Sequence, residues 1–274
     1  MYILLRGLIR RLFAFCGLGL VSLEKLQTLE EARIERDILI NKLPLYLHLL
    51  SKGWLAETDV ELLRNSTSEK GQDIFALLAL GKKKSGTFIE FGAYNGIDFS
   101  NTLLLETHFG WEGALIEPIP SSFANVKKYR SSMAIHGAVT PVDQESVSIT
   151  ETPANNLSHV SEGTSGFLGG LFERVHHVPG YSISTIMTNF LKRNHVDFLS
   201  VDVEGLEYQI LQTLDFGRYS YGVICVEHNN SENKVAIKKL LESEGYLLVM
   251  EEFSGNDYWF IHPAVAKGNT FLEV

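Results

Sequence analysis

The chain has little cysteine and no surplus of positive charge. Its 274 residues include only two cysteines, Cys16 and Cys225, and 33 acidic against 24 basic side chains, which gives a formal net charge of −9. Two distant cysteines exclude a disulfide framework or a thiolate zinc cluster, and they favour a reducing, cytoplasmic setting. Since there is no basic surplus to bind a phosphate backbone, we expect no nucleic-acid partner.

A long, uninterrupted apolar run is also missing. Residues 1–22 are almost wholly apolar, but three arginines interrupt them, so a transmembrane span is not predicted. Arg6 and Arg10 would share one side of a helix, as in a helix that lies at a membrane surface. A cleaved signal peptide, with its apolar run at 12–21, and a helix docked on the chain's own domain stay open. We expect peripheral contact with the inner face of a membrane, or homo-oligomer contact, through residues 1–40.

Residues 1–60 are predicted to form a helical extension. Between residues 23 and 39, apolar and charged side chains recur at helical spacing, as in an exposed amphipathic helix or a short coiled coil. Pro44 is predicted to break this helix, with one or two further helices after it. Residues 61–274 are predicted to form the main domain, which is long enough for a good α/β core.

Strand and helix signals alternate through the main domain. Because they alternate, we predict an α/β fold, a Rossmann-like and mostly parallel sheet that ends in a C-terminal antiparallel hairpin around the sequence SGND. Residues 140–180 lose this rhythm and are predicted to be an insertion or lid with possible strands at VSIT and FERVHHV. The predicted parallel strands are Thr87–Phe91, Gly113–Pro118, Met133–Val139, Val196–Gly205 and Tyr221–Asn229.

The stretch TFIEFGAYNG carries the cofactor prediction. Gly92 and Gly96 give the spacing G-x-x-x-G, whereas dinucleotide sites use G-x-G-x-x-G, so a nicotinamide cofactor is disfavoured. The carboxylate of Glu90 would oppose a pyrophosphate but suits the ammonium and sulfonium groups of S-adenosylmethionine. Glu117 ends the second strand at a position from which a carboxylate can accept hydrogen bonds from ribose hydroxyls.

At this point the sequence resembles the FkbM-type S-adenosylmethionine-dependent methyltransferases of the class I fold. The resemblance runs from about Ser68 to about Tyr246 and rests on the motifs SEKGQD, FIEFGAYNGIDFSNT, WEGALIEP, VDFLSVDVEGLE and VICVEHN. It implies a seven-stranded sheet, S-adenosylmethionine as cofactor and methyl transfer to a hydroxyl, commonly on a sugar or natural product. It says nothing about residues 1–60.

The candidate cofactor-binding residues lie at the two strand ends, on the glycine loop and in the GQD motif. Asn95, Ser100 and Asn101 are expected in the loop and first helical turn, where they would hold the methionine carboxylate near a helix N-terminus. Helix capping stays open for Ser100, Asn101 and Asp73, although the resemblance to GQD gives Asp73 a site role. The set is Asp73, Glu90, Gly92, Ala93, Asn95, Gly96, Ser100, Asn101 and Glu117.

The candidate catalytic residues are Asp202, Glu204 and His228. Methylating a hydroxyl requires the loss of its proton, so a general base is useful. Asp202 and Glu204 would point the same way from the fourth strand tip, and His228 at the fifth tip titrates in a suitable range, with a structural histidine as the alternative. Asp202 and Glu227 would also suit Mg²⁺, but no ligand motif supports a metal and none is predicted.

The sequence thus predicts a cytoplasmic O-methyltransferase that uses S-adenosylmethionine and acts on a small-molecule or glycan hydroxyl. A non-catalytic scaffold that keeps the methyltransferase fold is the alternative, and a nicotinamide oxidoreductase is a third hypothesis. The acceptor is not encoded in any readable motif, because acceptor pockets are built from variable loops.

Overall fold

The computed structural model describes residues 40–151, 159–160 and 174–267, together with residues 32 and 36. The chain divides into two compact units, Met1–Asn41 and Lys42–Val274. Residues 42–60, which the sequence assigns to the extension, therefore lie in the same unit as the sheet. Within the described part of the chain, no helix is long and apolar enough to cross a membrane.

Much of the predicted extension lies outside the described residues. This applies to the apolar segment 1–22 and to nearly all of the amphipathic segment 23–39. The membrane and oligomer contacts expected of residues 1–40 therefore stay predictions.

The second unit begins in a helix that continues through Pro44. Residues 40–51 are helical throughout, so the predicted break at Pro44 is wrong. Proline removes one backbone hydrogen bond but fixes φ near the helical value, and burial can outweigh that loss. We refer to residues 42–51 as the leading helix. Its inner face is buried at helical spacing and carries Lys42, Leu45, Tyr46 and Leu49.

The remaining helices are mostly short and alternate with the strands. A 3-10 turn at Glu57–Asp59 precedes the first of them, and a π-helical turn at Ile186–Leu191 continues the fifth. They are α1 Val60–Asn65, α2 Gln72–Ala79, α3 Leu103–Phe109, α4 Pro120–Tyr129, α5 Ile183–Thr185, α6 Glu207–Leu211, α7 Lys234–Ser243, α8 Glu251–Ser254 and α9 Pro263–Ala266.

The strands form two sheets. They are β1 Thr87–Phe91, β2 Glu112–Glu117, β3 Met133–His136, β4 Ala138–Val139, β5 Gln144–Glu151, β6 His159–Val160, β7 Arg174–Tyr181, β8 His195–Val201, β9 Ser220–Glu227, β10 Leu247–Val249 and β11 Asp257–Ile261. The larger sheet has seven strands in the order β10-β11-β9-β8-β1-β2-β3, and the smaller has four in the order β4-β7-β5-β6.

The larger sheet confirms the predicted fold class. Strands β3, β2, β1, β8 and β9 are parallel neighbours, and β11 runs antiparallel to both β9 and β10. The connection between β10 and β11 includes α8, so it is longer than the predicted SGND turn. Since β1 lies between β2 and β8, the sheet order reverses at β1, and ligands of open α/β sheets bind beside such a reversal.

The predicted third strand is divided between the two sheets. Residues 133–136 pair with β2, but residues 138–139 pair with β7. At Gly137, a Cβ would lie 2.7 Å from the carbonyl oxygen of Pro179, so only glycine allows the two chains to approach this closely. The expected strand at VSIT is confirmed as part of β5 and residues 174–178 of FERVHHV as part of β7, so the described part of the insertion is a small sheet.

Both faces of the larger sheet are covered by apolar side chains. Ile89 and Phe91 face one buried cluster, while Phe88 belongs to the other, together with Trp111 and residues of α2. This explains why β1 is an unbroken apolar run, since a central parallel strand is buried on both sides. Each large side chain that is fully buried contributes about 1.5–3 kcal/mol.

Candidate active site

A cleft lies at the carboxyl ends of β8 and β9, beside residues 99 and 101 of the loop that follows β1. The space between its walls is about 390 Å³, and part of this space is open to solvent. Among the described residues that line it there is no lysine or arginine, so its electrostatic potential favours cations. Its polar lining includes Glu69, Gln72, Asn101, Asp202, Glu227 and Asp257.

Three carboxylates meet at this end of the sheet. Asp202, Glu204 and Glu227 each bring one oxygen to within 4.8 Å of the others. Asp202 follows β8 and Glu227 ends β9, and since these strands are parallel neighbours their ends meet. The same three oxygens have the chemistry of a divalent-cation ligand set, so the sequence prediction that no metal is used stays a prediction.

Burial and mutual repulsion raise the pKa of two of these carboxyl groups. Burial is the larger cause for both groups. The pKa of Glu227 rises to about 8, with the charge of Glu204 adding to the effect of burial. The pKa of Asp202 lies well above its ordinary value, because it is buried beside Glu227 and Glu204. At neutral pH the pair Asp202 and Glu227 therefore holds a shared proton rather than two full charges.

The structure does not bring His228 together with Asp202 and Glu204 in the cleft. Only 2% of its surface is exposed, and its Nδ1 accepts a hydrogen bond from the backbone N–H of Asn230 at 3.0 Å. Burial and the charge of Lys234 lower its pKa to about 4. These surroundings suit the structural alternative, and the catalytic role of His228 stays a prediction without geometric support.

Glu227 is a cleft carboxylate that the sequence-based catalytic set omits, as it omits Glu69 and Asp257. Glu227 and His228 are consecutive, and consecutive strand residues point to opposite sides, so only one of them faces the cleft. Glu227 Oε2 is buried without a hydrogen-bond partner. The alternation of side chains along β9 could have identified Glu227, but the sequence does not show at which residue the strand ends.

The glycine loop after β1 packs directly on the end of β8. Gly92 and Gly96 have φ values of +71° and +80°. A Cβ on Gly92 would lie 2.3 Å from the backbone carbonyl oxygen of Asp202. Ala93 is buried, and its N–H donates to the carbonyl oxygen of Ile116 at 3.2 Å. The loop is thus fixed between β2 and β8 by its own backbone.

Replacing Gly92 by alanine should lower the free energy of unfolding by about 2–4 kcal/mol, because a positive φ and a backbone clash act together. Urea unfolding measures the loss. Gly53→Ala is the matched control, since Gly53 has the same φ of +71° but nothing within 4 Å of its Cβ position. Its loss should be about 1 kcal/mol, and equal losses in the two variants would contradict the close contact with Asp202.

Glu90 is buried at the end of β1 and holds the following loop. Only 2% of its surface is exposed. Its oxygens accept hydrogen bonds from the backbone N–H of Asn101 at 2.6 Å and from the hydroxyl groups of Ser100 and Thr102. Burial raises its pKa, although the nearby Arg130 opposes the shift. Its predicted contact with a cofactor stays a prediction.

Asn95, Ser100 and Asn101 lie in the loop, because α3 begins only at Leu103. Asn95 Oδ1 accepts hydrogen bonds from the backbone N–H groups of residues 97 and 98, so it shapes a turn. Ser100 Oγ accepts from the N–H of Leu103 at 3.2 Å, as a capping residue does. Asn101 lines the cleft, donates to Ser200 Oγ at 2.9 Å, and has a buried Oδ1 without a partner.

Glu117 and Asp73 are both buried and accept hydrogen bonds from loops. Glu117 accepts from the backbone N–H groups of Tyr94 and Ile119, each at 2.8 Å. Asp73 Oδ1 accepts from Ser66 Oγ, from Ser68 Oγ and from the N–H that follows it. Glu117 therefore joins β2 to the glycine loop, whereas Asp73 fastens the turn before α2.

The stability of the fold should fall as the pH rises from about 5 to about 8 through the titration of Glu117. Burial raises its pKa from 4.5 to about 8, more than its two backbone hydrogen bonds lower it. A carboxyl whose pKa is raised by folding contributes stability that is fully present below the unfolded value and lost through the folded value. Calorimetric unfolding across this range should show a shallower decline for Glu117→Gln, and parallel curves would contradict the assignment.

Comparison with solved structures finds methyltransferases of distant sequence. A precorrin-6y C5,15-methyltransferase from Geobacter metallireducens is 12% identical, with 69% of this chain and 85% of that chain covered and a TM-score of 0.38. A methyltransferase FkbM from Methylobacillus flagellatus is 7% identical, with 75% and 59% covered and a TM-score of 0.38. These likenesses are too distant to carry an argument about function. None of the curated proteins compared with the chain matches it.

The family signature is more direct. The pattern of the Methyltransferase FkbM domain matches residues 90–248. This span begins at the end of β1, contains the glycine loop, Glu117 and the acidic strand tips, and covers more than half of the chain. The chain is therefore a methyltransferase and belongs to the FkbM family.

Proposed function

We propose that this methyltransferase uses S-adenosylmethionine and methylates a hydroxyl group of a carbohydrate or similar acceptor. The observation that carries the proposal is the pair Asp202 and Glu227 in the lining of the cleft, where burial raises the pKa of both carboxyl groups and so strengthens them as proton acceptors. A hydroxyl is a poor nucleophile while it keeps its proton, so such a base is more useful for a hydroxyl than for a neutral amine.

The residues of the cleft fit the proposed cofactor. The charged groups that line it are all carboxylates, and the unpartnered Oδ1 of Asn101 adds a neutral acceptor. Acceptors of this kind suit the ammonium and sulfonium groups of S-adenosylmethionine. Glu117, at the end of β2, is outside the lining of this cleft, and its carboxyl group would accept from ribose hydroxyls in addition to the backbone N–H groups of Tyr94 and Ile119. When bound, the cofactor supplies an electrophilic methyl group.

The protein's own residues would then position and deprotonate the acceptor. The pair Asp202 and Glu227 takes the hydroxyl proton, and the carboxyl group of Glu204 within 4.8 Å keeps the proton affinity of the pair high. Gln72 Nε2 donates to Asp257 Oδ2 at 2.7 Å, and Asp257 is the cross-strand neighbour of Glu227, so this hydrogen bond holds the residue beside the pair. The residues of the chain would thus orient the acceptor and act as a general base.

The proposal is tested by incubating the protein with methyl-labelled S-adenosylmethionine and a carbohydrate extract from cell envelopes. We expect the label in a methyl ether, which survives mild alkali. Label in an alkali-labile ester or on nitrogen would contradict O-methylation. Cofactor binding without transfer to any extract would instead support the non-catalytic scaffold.

A further inference from the structure

Lys42 is a charged residue in the interior of the second unit. Only 1% of its surface is exposed, and its Nζ donates to the carbonyl oxygen of Ser66 at 2.9 Å and to Ser66 Oγ at 3.0 Å. Ser66 is the C-cap residue that follows α1. A buried ammonium is costly to desolvate, and an apolar residue at this helical position would avoid that cost. The position of Lys42 therefore requires an explanation beyond packing.

Ser66 connects Lys42 to a closed set of hydrogen bonds. Ser66 Oγ donates to Asp73 Oδ1 at 2.8 Å, and Ser68 Oγ donates to the same oxygen at 2.5 Å. Ser68 Oγ also accepts from the N–H of Gly71 at 3.2 Å. Residues 66–72, which we call the cleft turn, are thereby folded around Asp73, with Lys42 at the outer end of the network.

The leading helix also contacts the cleft turn through packing. Gly71 has a φ of +93°, and a Cβ there would lie 2.7 Å from Leu45 Cδ2. Leu45 is three residues after Lys42 on the same buried face of the helix. Two side chains of one helix face, one ionic and one apolar, thus fix the two ends of the cleft turn.

The cleft turn forms one wall of the proposed active site. Glu69 and Gln72 line the cleft, and Gln72 donates to Asp257, which lines it as well. On its other side the cleft turn is joined to the glycine loop, since Thr67 Oγ1 donates to the carbonyl oxygen of Ser100 at 3.0 Å and Ser68 pairs with Phe99 in a β-bridge. The cleft turn therefore connects Lys42 to the loop that carries Asn101.

We propose that Lys42 is a positioning residue of the methyltransferase site. Its ammonium holds the cleft turn, and through it Gln72 and the loop around Asn101, in the arrangement that binds the cofactor. This inference rests on the proposed function in that the ligand is S-adenosylmethionine. It also extends the functional unit beyond the family signature, which begins at residue 90, to the leading helix.

Lys42→Met tests the proposal, with Leu49→Ala as the control. Leu49 is fully buried on the same helix face, and its side chain cannot hydrogen-bond to the cleft turn. Amide hydrogen exchange reports the order of residues 66–72, and calorimetric titration with S-adenosylhomocysteine reports the site. For Lys42→Met we expect exchange in the cleft turn to accelerate about tenfold and affinity to fall about tenfold. Leu49→Ala should leave the affinity unchanged and should not accelerate exchange in the cleft turn more than in the rest of the unit. This should hold even if Leu49→Ala lowers the unfolding midpoint as much as Lys42→Met does.

Equal effects of the two variants, or no effect of Lys42→Met, would overturn the role of Lys42. If Lys42→Met does not fold, Ser66→Ala removes the next hydroxyl in the network and should accelerate exchange in the same residues, and unchanged exchange there would overturn the proposal. If the wild type binds no S-adenosylhomocysteine, the proposed function fails, while the exchange comparison still decides whether Lys42 holds the cleft turn.

Discussion

Replacing Arg130 by methionine should lower the free energy of unfolding by about 3–5 kcal/mol, because the change leaves two carboxylates buried without their cation. The side chain of Arg130 is fully buried, and its Nη2 lies 2.9 Å from Glu106 Oε2 and its Nη1 3.7 Å from Glu90 Oε2. It also donates to the carbonyl oxygen of Gly96 at 3.1 Å, to Ser100 Oγ at 3.0 Å and to Thr102 Oγ1 at 2.9 Å. Chemical denaturation measures the loss.

Arg193→Met is the control for this prediction. Arg193 also pairs with a glutamate, Glu112, but its side chain is 44% exposed. An exposed pair contributes between about 0 and 1 kcal/mol, so the loss should be small. The prediction would be wrong if Arg130→Met cost no more than this control, since the loop from Gly96 to Thr102 would then be held by other contacts.

Glu227→Gln should reduce the rate of methyl transfer by a factor of about 10²–10⁴, the usual contribution of a general base. The amide keeps the size of the side chain but cannot take a proton. The affinity for S-adenosylhomocysteine should change far less than the rate, because the proton is moved only during the reaction. Labelled transfer to the acceptor fraction that is active with the wild type measures the rate, and calorimetry measures the affinity.

The pH profile separates this role from a structural one. Because burial and Glu204 raise the pKa of Glu227 to about 8, the pair with Asp202 loses its shared proton as the pH rises, and the wild-type rate should increase through that range. Glu227→Gln should lose this increase. Glu242→Gln, on the exposed face of α7, should keep both rate and profile. A flat wild-type profile, or a similar loss in both variants, would remove Glu227 from the mechanism.

The parallel sheet could be predicted from the sequence because its evidence is local. Buried parallel strands are continuous apolar runs, and the carboxylates and glycines that follow them mark the strand ends. For this reason TFIEFGAYNG and GALIEP could be placed at the same edge of the sheet before any contact was known. Asp202 and Glu204 were assigned to that edge on the same basis, and the structure places them together there.

The errors arise where distant residues decide the local structure. The division of the third strand at Gly137 depends on β7, which follows some 40 residues later in the chain. Pro44 was expected to break its helix because propensity acts against it, but the burial of Leu45 and Leu49 keeps the helix intact. No signal in the sequence around Gly137 or Pro44 predicts these long-range contacts.

The side chains that contact the site residues could not be predicted from the sequence either. Glu90 was expected to face a cofactor because it ends a strand, but Arg130, which has no local signal, completes a buried network around it. Lys42 lies in a segment that the family resemblance does not cover. A site can thus be located from its strand ends, while the side chains that hold those ends come from elsewhere in the chain.

The most direct test of the account is calorimetric titration of the wild-type protein with S-adenosylmethionine and with S-adenosylhomocysteine. We expect one site per chain for both ligands, with weaker binding in Glu117→Ala, because the side chain of Glu117 joins β2 to the glycine loop. The thermal unfolding of Glu117→Ala, measured in parallel, distinguishes a loss of cofactor binding from a loss of folding. The absence of binding to the folded wild type, or equal binding in Glu117→Ala, would contradict the cofactor site at the ends of β1 and β2.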